Sequence, residues 1–143
     1  MSQEFVRRVD GYNRPFQVNG NPVLARNAWL SLNCWGGPGR IETIRYISND
    51  IVTTTTWQNT LKITLDGTVF LNQGLDGVMA DWSITTLYGP IGGGGAYTIG
   101  TAKSTAQWLL NMDYEVSALV ELQNNSSPNP NQMGLTVIGR VGR

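Results

Sequence analysis

From Trp108 to Leu122 the chain reads WLLNMDYEVSALVEL, and its residue character alternates with a period of two. Trp108, Leu110, Met112, Tyr114, Val116, Ala118 and Val120 fall on one side. Leu109, Asn111, Asp113, Glu115, Ser117, Leu119 and Glu121, mostly polar, fall on the other. Successive side chains of a strand point to opposite faces, at roughly 3.3 Å per residue, so the pattern predicts one long, half-buried strand. Wound as a helix, the same stretch would scatter Met112, Asp113 and Glu115 around the cylinder.

Shorter runs behave alike. Leu24, Arg26, Ala28, Leu30 and Leu32 alternate with Ala25, Asn27, Trp29, Ser31 and Asn33, and a second alternation passes through Ile41, Thr43, Arg45 and Ile47. In TLKITLDGTVFL, Leu61, Ile63 and Leu65 share a face, Asp66-Gly67 stands where a hairpin turn belongs, and Val69 and Leu71 follow. DWSITTLYG and AYTIG read as shorter strands. MGLTVIGRV closes the chain with Met133, Leu135, Val137 and Val141 inward. Prolines and glycines punctuate these runs. About eight strands with no helical pattern between them, in 143 residues, predict a single all-β domain, an antiparallel sandwich or barrel. Its expected core is Leu61, Ile63, Leu65, Trp108, Leu110, Met112, Tyr114, Val116, Leu135 and Val137.

Two segments depart from a compact sandwich. Residues 1–22 read as an N-terminal arm ahead of a domain spanning 23–143, with Phe5, Val9, Tyr12 and Phe16 spaced among Arg7, Arg8 and Arg14. Such an arm cannot bury its apolar residues within itself. It either adds to its own sheet or lies across a neighbouring subunit, where its arginines would meet carboxylates such as Glu42, Glu115 or Glu121. QNNSSPNPNQ is too polar to pack and reads as a surface excursion, its overlapping glycosylation sequons being loop chemistry.

The chemistry that is missing narrows the function. There is no histidine, which excludes Ser-His-Asp and Cys-His nucleophile systems and imidazole metal sites. One cysteine, Cys34, rules out an intrachain disulfide and structural zinc, and reads as a buried, inert thiol. The glycine tetrad Gly92–Gly95 lacks the Gly-Lys-Ser/Thr ending of a phosphate loop and reads as a connection. Among the acids, Asp66 and Asp76 precede glycines as turn residues do and Asp50 ends a strand, whereas a hydrolytic pair would need two carboxyls about 5–9.5 Å apart. No catalytic residue, cofactor or metal is therefore assigned. Formal net charge is zero, which argues against nucleic acid as a partner, and no apolar window is long enough to span a membrane or to serve as a signal peptide. Only 14% of residues are charged, and an amide-rich surface of that kind is poorly defended against self-association. Trp57 and Trp82 lie at strand ends or turns, where they would serve as interface anchors or, alternatively, as platforms for sugar rings.

CWGGPGRIETIRYISND, Cys34 to Asp50, places a corner nearly free of side chains at the mouth of a strand. Together with LKITLDG and LDGVMADW it resembles the jelly-roll superfamily shared by DUF2961-type glycoside hydrolases and viral capsid proteins. Gly37, Pro38, Gly39, Ile41, Ile44, Leu61, Ile63, Asp66, Gly67, Asp81 and Trp82 carry the resemblance, over about fifty residues. It implies a jelly roll. Only one jelly roll's worth of strands is present and no pair of catalytic carboxylates matches, so it implies the scaffold without the hydrolase. The expected function is a structural virion protein, a bacteriophage coat or capsid-associated component located in the virion. Its expected partners are its own copies, as a dimer or trimer, and other capsid proteins. Interface candidates are Phe5, Arg7, Arg8, Tyr12, Arg14, Phe16, Trp57 and Trp82. A carbohydrate-binding module and a hydrolase-derived jelly roll are the alternatives.

Overall fold

The computed structural model describes residues 13–51, 59–75, 86–88, 103–125 and 130–142. They form ten strands: β1 (Arg14–Gly20), β2 (Val23–Leu24), β3 (Trp29–Asn33), β4 (Gly39–Ile51), β5 (Thr60–Leu65), β6 (Thr68–Gly74), β7 (Thr86–Tyr88), β8 (Lys103–Tyr114), β9 (Ala118–Gln123) and β10 (Asn131–Val141). One sheet runs β1-β10-β4-β8-β7, with β2 pairing on β10, and the other runs β3-β9-β5-β6. Every pairing is antiparallel. The pairs nest around one hairpin: β5 with β6, then β4 with β8, β3 with β9, and β1 with β10. Apart from β5 to β6, each step along these eight strands changes sheets. That interleaving is the double Greek key of a jelly roll.

The hairpin at the centre of the nest follows from two residues. Asp66 and Gly67 take φ of 52° and 81°, the paired positive values of a two-residue turn whose twist suits the flanking strands. Asp tolerates this conformation and Gly adopts it without strain.

The alternation of the chain becomes the two inner faces, with the phase reset where strands bulge. On β10, Met133, Leu135, Val137 and Val141 all point into the core, as their spacing predicts. On β4 a bulge at Glu42, between the pairs Ile41↔Gly139 and Thr43↔Ile138, shifts the phase by one. Ile41, Ile44 and Tyr46 therefore face inward, while Thr43, Arg45 and Ile47 line the outside, against the expected alternation. A second bulge, between Ile63 and Thr64 on the β5–β6 ladder, places Leu71 opposite Ile63 but Val69 opposite Thr64. Val69 is consequently 51% exposed.

The segment Trp108–Leu122 corrects the sequence expectation most instructively. It is two strands in different sheets: β8 ends at Tyr114, β9 begins at Ala118, and residues 115–117 cross the end of the sandwich. Trp108 and Tyr114 on β8, and Ala118, Val120 and Leu122 on β9, are all buried because the three-residue corner keeps even-numbered residues inward on both sides. Val116, at the corner itself, is 69% exposed and not part of the core. Leu65, Leu110 and Met112 pack against the core while partly exposed.

Of the two placements open to the N-terminal segment, residues 14–20 take the first and add to the chain's own sheet. Residues 14–20, assigned to the arm, are strand β1, paired along β10 from Arg14↔Val141 to Gly20↔Leu135. Phe16 is buried in this chain's own core, stacked on Trp35 with centroids 5.9 Å apart, and is not an anchor for a neighbour. A Cβ on Gly139 would strike both the Arg40 carbonyl and the Phe16 ring, so the glycine makes room for that ring.

The glycine-rich corner of Cys34–Gly39 is explained by what lies against it. A Cβ on Gly37 would sit 2.5 Å from the Glu115 carbonyl oxygen, and one on Gly39 would sit 2.5 Å from the Tyr114 ring. Tyr114 is 2% exposed and donates its hydroxyl to the Trp35 carbonyl at 2.6 Å. The corner is bare so that this ring can seal the end of the core. Gly39→Ala should lower stability by about 1–3 kcal/mol through overpacking, and Tyr114→Ala by about 3–5 kcal/mol through the lost ring, read by urea unfolding. Because the added methyl meets that ring, the double variant should cost less than the sum; strict additivity would disprove the contact.

Candidate functional site

The antiparallel nest sorts the connections to two ends. One end gathers the Cys34–Pro38 corner, the Asp66–Gly67 turn and the 115–117 corner. There the Asp66 carboxylate accepts from the backbone N–H groups of Glu115 (2.9 Å to Oδ2), Val116 (2.7 Å to Oδ1) and Ser117 (3.0 Å to Oδ1). These three donors lie between sheets, where no ladder reaches them. Carbonyls of the same corner take the opposing donors: Val116 from Gly37 N–H, Ser117 from Asp66 N–H, and Ala118 from Cys34 N–H. Gly142 N–H bonds to the Pro38 carbonyl and Asn13 N–H to that of Val141, tying β1 and β10 to this closed end. The three backbone bonds to its ionised form hold the Asp66 carboxyl below the usual carboxylate range. The Asp66 carboxylate thus clasps the 115–117 corner through three backbone bonds.

The opposite end is knitted by uncharged amides. Asn59 is fully buried, donates Nδ2 to the Tyr46 hydroxyl at 3.0 Å, and accepts the Asn125 N–H on Oδ1 at 2.9 Å. Asn125 Oδ1 accepts both the N–H and the hydroxyl of Thr60, and its Nδ2 donates to Gln123. Asn124 donates to the Leu24 carbonyl at 2.9 Å, and Asn131 to the Ser48 hydroxyl at 2.9 Å. At the two described ends of the polar run read as a surface excursion, Asn124 and Asn131 are buried; residues 126–129 lie outside the described residues. Both sequon asparagines are engaged inside the protein. Their signal in the sequence is indistinguishable from loop composition, because an amide's burial depends on partners that only the fold supplies.

The outer faces carry the remaining polar side chains. On the β1-β10-β4-β8 face, Arg40 Nε meets Asp113 Oδ1 at 2.7 Å, Arg140 Nε lies 3.4 Å from Glu42 Oε1, and Arg45 Nε donates to Gln107 Oε1 at 2.6 Å. On the β3-β9-β5-β6 face, the Ser31 hydroxyl donates to Glu121 at 2.7 Å, and Lys62 Nζ lies 5.8 Å from the centre of the Trp29 ring. A groove of about 240 Å³ at the edge of the first face is lined by Asn19, Gly20, Asn21, Ile47, Gly134, Leu135 and Thr136. Gly134 also lets the β1 backbone approach closely, a Cβ there lying 2.5 Å from the Gly20 carbonyl oxygen. The Cys34 thiol, desolvated by burial, is pushed up to about 12, consistent with an inert side chain at neutral pH.

Of the interface candidates, Arg14 stands exposed at the start of β1, beside the closed end, and Phe16 is in the core. Phe5, Arg7, Arg8, Tyr12, Trp57 and Trp82 lie outside the described residues, as do Asp76, Asp81 and the glycine tetrad. Of the carboxylates proposed to receive the arm's arginines, Glu42 and Glu121 already have partners within the chain, and Glu115 is exposed. Among the described residues no three His, Cys, Asp or Glu are grouped to hold a metal ion, and no helix is long and apolar enough to cross a membrane.

No family model matches the chain, and no curated protein matches it. Three solved structures give distant likenesses. The capsid asymmetric unit of cyanophage Pam1 aligns at 14% identity over 89% of this chain and 81% of that one, with a TM-score of 0.36. Infectious bursal disease virus, Gx strain, aligns at 9% identity over 92% of this chain, with a TM-score of 0.41. The catalytic domain of a GH87 α-1,3-glucanase in complex with nigerose aligns at 11% identity over 93% of this chain, with a TM-score of 0.38. This chain spans 33% of the bursal disease virus chain and 29% of the glucanase chain. Likenesses this remote carry no functional argument, and the jelly-roll assignment rests on the strand pairings.

The clasp at Asp66 yields a pH dependence. Its folded-state value lies below the unfolded one, about 3.9. Its stabilisation is therefore complete above that unfolded value and is lost as pH falls through the lowered folded one. Asp66→Asn keeps the turn-compatible backbone and removes the charge. Thermal melts should show the variant less stable at pH 7, with the difference shrinking as pH is taken below about 3.9. A constant difference would mean that the charge is not what the three N–H groups hold.

Proposed function

We propose that this chain is a structural building block of a virion, a coat or capsid-associated jelly roll of a bacterial virus that assembles with its own copies and with other capsid proteins. The supporting observation is the character of its two broad outer faces. Across the first, rows of paired residues run Pro15–Arg140–Arg40–Asp113, Gln17–Ile138–Thr43–Leu109 and Asn19–Thr136–Arg45–Gln107. Across the second they run Trp29–Gln123–Thr60–Gly74, Ser31–Glu121–Lys62–Asn72 and Asn33–Leu119–Thr64–Val69. Both faces mix hydroxyls, amides and aliphatic side chains, and most of their charges meet an opposite charge or a hydrogen-bond partner on the same face. Such a surface can be covered by a neighbour without stranding a charge, which is what burial in an assembly requires. The side chains best placed for chemistry are spent otherwise, Asp66 as a clasp and Cys34 as a buried thiol. In this reading the protein is not an enzyme and binds no cofactor.

The N-terminal arm is shortened in the same proposal. With β1 integral to the sheet, the segment available to reach a neighbour ends at about Asn13, leaving Phe5, Val9 and Tyr12 as its apolar anchors.

A carbohydrate-binding module is the second reading. Its support is the groove beside Gly134, whose Asn19, Asn21 and Thr136 side chains offer hydrogen bonds next to the apolar Ile47, together with the exposed Trp29 ring on the other face.

Light scattering should find the full chain as a dimer, trimer or larger species. Deleting residues 2–12 should lower that mass or the melting temperature while the β spectrum by circular dichroism is unchanged. A strictly monomeric full chain would refute the assembly reading. Saturable binding on a glycan array, reduced by Asn21→Ala or Trp29→Ala, would favour the carbohydrate reading.

A further inference from the structure

We infer that the Asp66-Gly67 step is a latent modification site, at which the backbone isomerises to an isoaspartyl linkage, and that the clasp on residues 115–117 is the gate holding this chemistry back. The site is the same whether or not the chain assembles.

An Asp-Gly step cyclises readily, because glycine carries no side chain to shield its nitrogen. The Gly67 nitrogen attacks Asp66 Cγ and gives up its proton, an N–Cγ bond forms, and one carboxyl oxygen departs as water. The five-membered succinimide that results then takes up one water. Addition at Cγ restores aspartate. Addition at the Asp66 carbonyl carbon breaks that carbon's bond to the Gly67 nitrogen, and the chain thereafter runs through Cβ and Cγ. One water leaves and one returns, so the product keeps the mass of the starting chain and needs no other reagent.

Asp66 and Gly67 are both exposed, so water reaches them. Ring closure is opposed by the bonds the carboxylate makes. Oδ1 accepts from Val116 N–H at 2.7 Å and Ser117 N–H at 3.0 Å, and Oδ2 accepts from Glu115 N–H at 2.9 Å. The departing oxygen must leave as water, which a carboxylate held ionised by three donors resists. The same bonds hold Cγ at the corner, and the Asp66 N–H is tied to the Ser117 carbonyl at 2.8 Å. Pairing of Leu65 with Thr68 fixes the turn from both sides. The side chain therefore turns onto the Gly67 nitrogen only after the clasp opens. Chemistry slower than local opening and closing proceeds at a rate set by the open fraction.

The modification also prevents the clasp from re-forming. In the isoaspartyl form the carboxylate sits directly on Cα, one methylene shorter, and the turn carries one more backbone atom. The three N–H groups between the sheets then lose their acceptor, at a cost to the β8–β9 crossing.

The test is chromatographic peptide mapping, which separates aspartyl from isoaspartyl peptides of equal mass, on the full chain held at neutral pH with and without urea. Asp10-Gly11 and Asp76-Gly77 supply the same chemistry as comparators in the unfolded chain. In urea, Asp66 should isomerise at a rate similar to those two. In the native chain it should react roughly tenfold or more slowly, in step with the hydrogen-exchange protection of the Glu115, Val116 and Ser117 amides. Val116→Pro deletes one donor and leaves Asp66-Gly67 intact, and it should raise the native rate roughly tenfold with an unchanged circular dichroism spectrum. Absence of isomerisation at Asp66 in urea, or equal rates in the native and unfolded chain, overturns the inference. A slow native rate while the three amides exchange freely also overturns it, because the turn and not the clasp is then the gate. So does a folded Val116→Pro variant as slow as the wild type; should that variant not fold, the wild-type rates and amide protection decide.

Discussion

A jelly roll must carry its chain from one sheet to the other again and again, and each crossing strips the backbone of ladder partners. In this protein the crossing from β8 to β9 is held by a single carboxylate, that of Asp66, which accepts three consecutive N–H groups. Its own position follows from the β5–β6 turn, where only a residue tolerant of positive φ can stand. A residue chosen for turn geometry thus also satisfies a corner fifty residues away in sequence. The bare Gly37 and Gly39 let the Cys34–Pro38 corner close over residues 115–117, and Tyr114 plugs the space beneath.

Much of the architecture was legible because hydrophobic alternation is a local signal. The all-β class, the Asp66-Gly67 hairpin and the inward residues of β10 follow from spacing alone. What was illegible has two physical sources. Bulges insert one residue without any compositional mark, so the alternation through Ile41 and Thr43 slips at Glu42 and puts Ile44 and Tyr46 inside. A corner of three residues preserves parity, so β8 and β9 mimic one continuous strand, and only the exposure of Val116 reveals the break. Phe16 shows a different failure. Spacing identified it as a buried anchor but could not say which chain buries it, since β1 pairs with β10 at the far end of the sequence.

The candidate site was legible in smaller part. That the chain lacks imidazole is plain from composition, and the inert reading of Cys34 agrees with its desolvation. The surface was harder to read. Low charge predicts association in general terms, whereas the pairing of Arg40 with Asp113 and of Arg140 with Glu42 required strand registers that no local pattern encodes.

The two ends of the sandwich are held by different physics. Asn59, Asn124, Asn125 and Asn131, with Tyr46 and Ser48, form bonds whose donors and acceptors keep the same charge from acid to mildly alkaline solution. The end opposite depends on an ionised carboxylate. Acid therefore removes the charge on which the Asp66 bonds depend and leaves the charge state of the described amide bonds as it is. Beneath a zero net charge, the described bonds at the two ends answer differently to protons: one set depends on an ionised group and the other does not.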